Sequence, residues 1–394
     1  MASSQSGSRK RAKSGKESDT SSRTKKSSAY DPVFEQHLID HSVYPDGYGG
    51  VRNVQEPHNW EEIHVRLAVP RASLSPSRFG REAFLDFKEK NQDALTENKV
   101  MSKVFPIIAG TADIPSQENL RFGNLKDLTD DSITKAQPDF YDGSRPADLD
   151  KRLREELGPY IVPSTNTAAP CLPNFFTEGK GPKGDTPTYK NQALYDGALG
   201  ARGVHELRSF VDPETAYDNN AYTVTSTYHG GSGDLTIYTT HPTLCNDDRN
   251  LTEYRMTQLN GWKMTGNPDA FRQGATFLRN SRDLAEEERK KLIAAANAKA
   301  LTAENSGFGS STQTFVSLAS SEPDHQESET SADELAFGIN TIATSNYRTL
   351  VGARMNPPPK ASSNRRLKKP FRVQQGSATR RGSLQKSRES RRLG

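Results

Sequence analysis

Apolar positions are concentrated between about residues 30 and 302 and thin out on either side. Asp31 can cap a short helix through Ile39, and Asn59-Trp-Glu-Glu-Ile-His-Val-Arg-Leu67 offers a second, stopped at Pro70. Ser75-Pro76 opens a third, with Phe79, Phe84, Leu85 and Phe87 as an unevenly spaced apolar stripe. From Thr96 to Ile108, Val100, Val104 and Ile107 or Ile108 face one way, and Pro106 predicts a kink or an early end. On this reading the helices precede the sheet.

From Asn119 the pattern shortens and alternates. Phe140-Tyr141, between Asp139 and Asp142-Gly143, reads as a strand running into a hairpin turn. Asp148 to Leu157 reads as a charged helix that Gly158-Pro159 ends. Asn174-Phe-Phe-Thr-Glu-Gly-Lys-Gly181 is a strand in which Glu178 and Lys180, two apart, share one face at a sheet edge, and a helix from Tyr189 to Phe210 follows. Small residues in Gly197-Ala-Leu-Gly-Ala-Arg-Gly203 suit a helix packed close to a sheet rather than a phosphate loop.

The clearest hairpin joins Ala221–Tyr228 to Leu235–Thr240 through a glycine-rich turn, with Tyr222, Tyr228 and Tyr238 as its core. Glu253 to Met264 supplies a strand, and Asp269 to Leu301 a long helix whose second half, with Glu286–Lys290 and Glu287–Lys291 pairs, reads as solvated and projecting. The expectation is one α/β domain over 30–302, mainly helical over 30–110 and a sheet with helices over 119–302.

Composition bounds this domain. Only 32% of residues are hydrophobic and mean hydropathy is −0.82, because residues 1–29 and 303–394 are poor in groups that could offset the entropy of ordering. Both ends are therefore expected to be disordered. Residues 1–29 carry 8 Lys/Arg against 2 acids and residues 353–394 carry 13 against 1, leaving 32 basic and 46 acidic residues between them, a net charge of −14.

The basic runs, Arg9, Lys10 and Arg11 at one end and Arg365, Arg366, Lys368 and Lys369 at the other, suit contact with nucleic acid or with a nuclear import receptor. A self-repelling solubilising tail is the plainer reading of the same charges. No apolar run approaches a membrane span and no secretory leader is visible, so a nuclear or otherwise cytoplasmic location is expected. Two cysteines, Cys171 and Cys245, give no disulfide framework and no zinc site, and His205 and His241 have no second ligand at metal spacing.

Pro138-Asp139, Glu178-Gly-Lys180 on a strand and Gln192 on the helix after it together resemble the PD-(D/E)XK nuclease superfamily. The resemblance implies a restriction-endonuclease-like fold, a small mixed sheet flanked by helices. It further implies that Asp139 and Glu178 hold Mg or Mn, hard cations suited to carboxylate oxygens. Lys180 would stabilise developing charge or position water. Glu97, on the helix before the sheet, stands where members often carry one more acid. Gln192, with Tyr195 nearby, is similar to a Gln/Tyr helix position of some branches, without their usual spacing.

The long gap from Asp139 to Glu178 fits only with Asp148–Leu157 as an inserted helix. The wording Tyr195-Asp-Gly-Ala-Leu-Gly-Ala-Arg-Gly203 and Met256-Thr-Gln-Leu also resembles a group of uncharacterised fungal proteins, with no activity attached. Glu-x-Lys recurs at 97–99 and 288–290 and Pro-Asp at 45–46, 268–269 and 323–324, so context rather than the short motif carries the resemblance.

Each residue also has a plainer role. Asp139 suits a turn cap, Glu178 and Lys180 an edge-strand ion pair, and Gln192 a backbone hydrogen bond. Two functions stay open: a metal-dependent nuclease, and a catalytically silent nuclease fold whose acidic core binds protein while its basic tails bind nucleic acid or import receptors.

Overall fold

Seven strands among the described residues make one mixed sheet: β1 (Val43–Tyr44), β2 (Ser116–Glu118), β3 (Phe140–Ser144), β4 (Cys171–Lys180), β5 (Thr223–His229), β6 (Asp234–Leu244) and β7 (Thr252–Lys263). Their spatial order is β1-β7-β6-β5-β4-β3-β2. The computed structural model describes residues 26–50, 55–245 and 251–307. Pairing is antiparallel except for β4 with β5 and β1 with β7. The parallel β4–β5 pair requires a crossover, which the helix α8 (Thr186–Val211) provides.

Strand alternation separates two cores. Phe140, Phe175, Val224 and Ile237 face the helices α2 (Trp60–Leu67), α3 (Arg81–Asp93) and α9 (Pro268–Gly307). Tyr141, Phe176, Tyr238 and Met256 face α1 (Phe34–Ile39) and α8 (Thr186–Val211). On this sheet face Gly197, Gly200 and Gly203 let α8 lie close. A Cβ at 197 would stand 2.5 Å from Thr240 Oγ1, one at 200 would stand 2.7 Å from the Phe176 ring, and one at 203 would stand 2.9 Å from the Tyr160 carbonyl. The mixed α/β class and a sheet flanked by helices are thus as the pattern predicts.

Between α3 and β2 the chain runs as α4 (Glu97–Lys99), a π turn over Val100–Val104, and α5 (Phe105–Ala109). Pro106 is accommodated in the first turn of α5, where its missing N–H costs nothing. Two short helices, α6 (Lys151–Glu156) and α7 (Gly158–Ile161), fill the connection from β3 to β4.

Several expectations are corrected. The charged helix does end just before Gly158-Pro159, at Glu156, but that pair opens a further helix, α7. Asp142-Gly143 is not a hairpin turn: both lie in β3, where the register to β4 shifts between Asp142 and Ser144. Gly143 is required there because a Cβ would meet the Cys171 carbonyl at 2.7 Å. The second half of α9 does not project. Ala285, Ile293, Ala296 and Ala300 are buried, and so is Arg289; the Glu286–Lys290 and Glu287–Lys291 pairs line only its outer side. β1 precedes α2, so helices and sheet are not segregated in sequence.

The chief correction concerns β4, which is no edge strand but lies between β3 and β5 with all ten residues buried. Pro173 fits because pairing to β5 begins only at Phe175 and the β3 side is irregular at that point. At the N-terminal side, Lys26 to Ala29 join the folded body: Ser27 bridges Ile133 and Lys26 pairs with Asp131 at 2.5 Å. The basic runs at 9–13 and 365–369, and the compositional expectations for 1–25 and 308–394, lie outside the described residues. Among the described residues no helix is long and apolar enough to cross a membrane.

Candidate functional site

The β3–β4 register sets the site. Phe140 pairs with Thr177, so Asp139, one residue before, comes beside Glu178, one residue after. The two lock reciprocally: Asp139 N–H donates to Glu178 Oε1 at 3.1 Å, and Gly179 N–H donates to Asp139 Oδ2 at 2.8 Å. Of the 38 residues between these acids, ten form α6 and α7 in the connection from β3 to β4, and the two strands stay adjacent.

Lys180 follows on the same strand and is buried. Its Nζ lies 2.8 Å from Glu97 Oε2 and 3.8 Å from Asp139 Oδ2. Glu97 opens α4, where Thr96 Oγ1 accepts from the Lys99 N–H at 3.4 Å. The four residues that the sequence singles out as acid, acid, lysine and helix acid therefore meet, although none is at a sheet edge.

A fifth group was missed. Asp196 on α8 is buried with its carboxyl beside that of Glu178, a crowding that a proton or a cation between the two relieves. The signal was present. Asp196 stands one helical turn after Gln192, an acid on a helix otherwise built of Ala, Gly and Leu at that stage.

Burial dominates the electrostatics. Desolvation, then the charges of Asp139 and Asp196, hold Glu178 far above the usual carboxylate range. Desolvation also pushes Asp196 up to about 7 and Asp139 up to about 6, the latter against the opposing pull of Lys180. For Lys180, burial pulls downward, but Asp139, Glu178 and Glu97 outweigh it and raise its pKa. The cluster thus carries protons at neutral pH that ordinary acids would lack.

Asp139, Glu97, Gln192, Tyr195 and Asp196 line a cleft of about 430 Å³, with Glu178 and Lys180 behind this lining. Its rim holds Arg121 and Lys135 and the N-terminal residues Ser28 to Tyr30. Glu178 Oε2, Asp196 Oδ2 and Gln192 Oε1 are buried oxygens that accept no donor. Oxygen atoms in this condition fit a hard cation by donor chemistry.

The carboxylates do not form a closed ligand set. Among the described residues, the group of three ligand atoms all within 4.8 Å of one another is His37, His41 and Asp130. Of the other histidines, His205 packs against the Tyr217 ring, tilted 47° with centroids 4.3 Å apart, and burial lowers its pKa; burial pushes His241 down to about 4, so both serve as neutral packing groups.

Comparison with known protein families, curated proteins and solved structures finds no match to this chain.

Proposed function

We propose that the chain is a metal-dependent nuclease of the PD-(D/E)XK type, acting on nucleic-acid phosphodiesters in the nucleus. One observation carries this reading: Asp139 and the Glu178–Lys180 pair, far apart in sequence, are buried together beside a cleft that Asp139 lines. Burying two acids and a lysine there costs several kcal/mol per ion unless something is gained, and a packed apolar cluster would be cheaper. Perturbed titratable groups in a cleft are the physical mark of chemistry. The mixed sheet, the helix acid Glu97 before it and the crossover helix after Lys180 agree with the restriction-endonuclease-like arrangement.

Asp139 and Glu178 would hold Mg or Mn, with Asp196 beside them. The ion would supply charge for the phosphate and a more acidic water. This chain's residues supply the rest. Lys180, held by Glu97 and Asp139, keeps a fixed positive charge close to the acids, where negative charge builds on phosphate oxygens. Asp196, near 7, can take a proton from attacking water and return it to the leaving oxygen at working pH. The water oxygen bonds to phosphorus as the bond to the sugar oxygen breaks. Gln192 Oε1, without a donor, is placed to orient water or a base edge.

The acidic charge of the middle of the chain favours a second reading, a catalytically silent fold that binds protein. Cleavage of plasmid and single-stranded oligonucleotide by the full chain with Mg or Mn separates the two. Cleavage that EDTA stops, falling about 10²–10³-fold in both Glu178→Gln and Lys180→Ala, is the expected result. Full activity in both variants, or no cleavage of any substrate by the wild type, defeats the nuclease reading.

A further inference from the structure

We propose a second metal site, distinct from the cleft, in which His37, His41 and Asp130 bind one zinc-class divalent cation and clasp the N-terminal segment onto the loop before β3. His37 lies in the last turn of α1 and His41 four residues further on, and the two rings stack 15° from parallel with centroids 4.9 Å apart. Their Nε2 atoms converge on a single oxygen, Asp130 Oδ1, at 3.6 and 3.9 Å.

The hydrogen bond behind the His41 ring prepares it for this use. His41 Nδ1 lies 2.8 Å from the His37 carbonyl oxygen, which can only accept, so Nδ1 carries the hydrogen. In the neutral ring Nε2 then presents its lone pair to the Asp130 carboxylate. Two electron pairs facing each other call for a cation between them, and a ring nitrogen fixed by a backbone carbonyl is the usual support of a metal-bound imidazole. Ser132 Oγ donates to Asp130 and so accepts from His37 Nε2–H at 2.6 Å, a hydrogen that a bound cation would displace from this ring.

Distances agree with the chemistry. Zinc bonds of about 2.0–2.2 Å at a tetrahedral angle put neighbouring donors roughly 3.4 Å apart, so the two N–O spans need shrink by only a few tenths of an ångström. Two imidazoles with one carboxylate suit zinc and similar borderline ions; magnesium prefers an all-oxygen set. Three protein ligands leave a fourth position to water.

The site joins elements that build the cleft wall. The His37–His41 segment continues from Ser28 to Phe34, and Asp130 from Thr134 to Ala136, all cleft-lining stretches. The Ser27–Ile133 bridge and the Lys26–Asp131 pair fasten the same two segments. Closing a metal clasp at this point fixes the wall without touching Glu178.

The test is zinc content of the untagged full chain, stripped with EDTA and then dialysed against Zn²⁺ or Mg²⁺, with thermal melts in parallel. About one equivalent of zinc is expected in the wild type and in Glu178→Gln, with a melt raised by Zn²⁺ and not by Mg²⁺. The His37→Gln/His41→Gln double variant should bind zinc at least ~10-fold more weakly while melting like the stripped wild type in EDTA. Zinc uptake unchanged in the double variant, or no uptake by the wild type, overturns the clasp. Neither result depends on nuclease activity.

Discussion

β3 and β4 bury two charged clusters a few residues apart, and the two are solved in opposite ways. At one end Asp142 meets Arg282 in a fork: Nε donates to Oδ2 at 2.8 Å and Nη2 to Oδ1 at 2.9 Å, with Arg289 anchored to Ser144 Oγ at 3.1 Å and to Asn174 close by. Each Asp142 oxygen has a donor. At the other end Asp139, Glu178 and Asp196 crowd together with one lysine among them, and two of their oxygens have no donor. Similar strands carry both, so burial alone does not mark function. What differs is whether the buried acids find donors within the protein, since the polar atom left over beside Asp142 is itself a donor, Arg289 Nη2.

The comparison breaks first where charge is matched. Arg282→Met leaves the wholly buried Asp142 without its partner and should cost about 3–5 kcal/mol in urea unfolding. Glu178→Gln should leave stability unchanged or raise it, because it removes an acid already crowded by others. If the two variants destabilise alike, the cleft cluster is structural.

A smaller effect sharpens the contrast through pH. Asp196 is raised from 3.8 to about 7 and Asp139 from 3.8 to about 6, so the folded state binds protons that the unfolded chain releases. Their stabilisation is complete below about 4 and is lost as pH climbs through 6 and 7, each unit being worth at most ~1.4 kcal/mol. Melts without divalent cations should show this decline in the wild type, and Glu178→Gln/Asp196→Asn should flatten it between pH 4 and 7. A slope unchanged by the double variant removes the shared-proton account.

Smallest is the half-exposed Glu97. Glu97→Gln should shift stability by less than about 1 kcal/mol, since the lysine keeps Asp139. A melt displaced much further would make Glu97 a structural anchor of α4.

The sequence revealed the site in pieces. Glu178 and Lys180 were legible because the spacing of two along a strand is rigid, and Asp139 because a β3–β4 pairing had to bring it near. The centrality of β4 was not. The edge position was read from the Glu178–Lys180 charges, and only tertiary partners, the Tyr222 and Ala285 carbonyls for Asn174 and Ser226 for Thr177, make the polar residues of this strand interior ones.

Asp196 was overlooked although its helix was anticipated, since nothing local tells which face of α8 meets the sheet. The His37 and His41 spacing was equally readable, but Asp130 lies 93 residues after His37 in a stretch without periodicity. Arg289 looked solvated because its neighbours in sequence are charged, while the face of α9 it occupies is decided by β3 and β4.

The glycine at 197 has a consequence beyond packing. It fixes the gap between α8 and the sheet, and that gap determines how closely Asp196 approaches Glu178. A side chain there would act as a shim against Thr240 and Thr225, lifting the helix and loosening the shared proton with no charged atom altered. The acidity of the site is therefore set mechanically, by the thickness of a layer, and can be retuned from a position that carries no ionisable group.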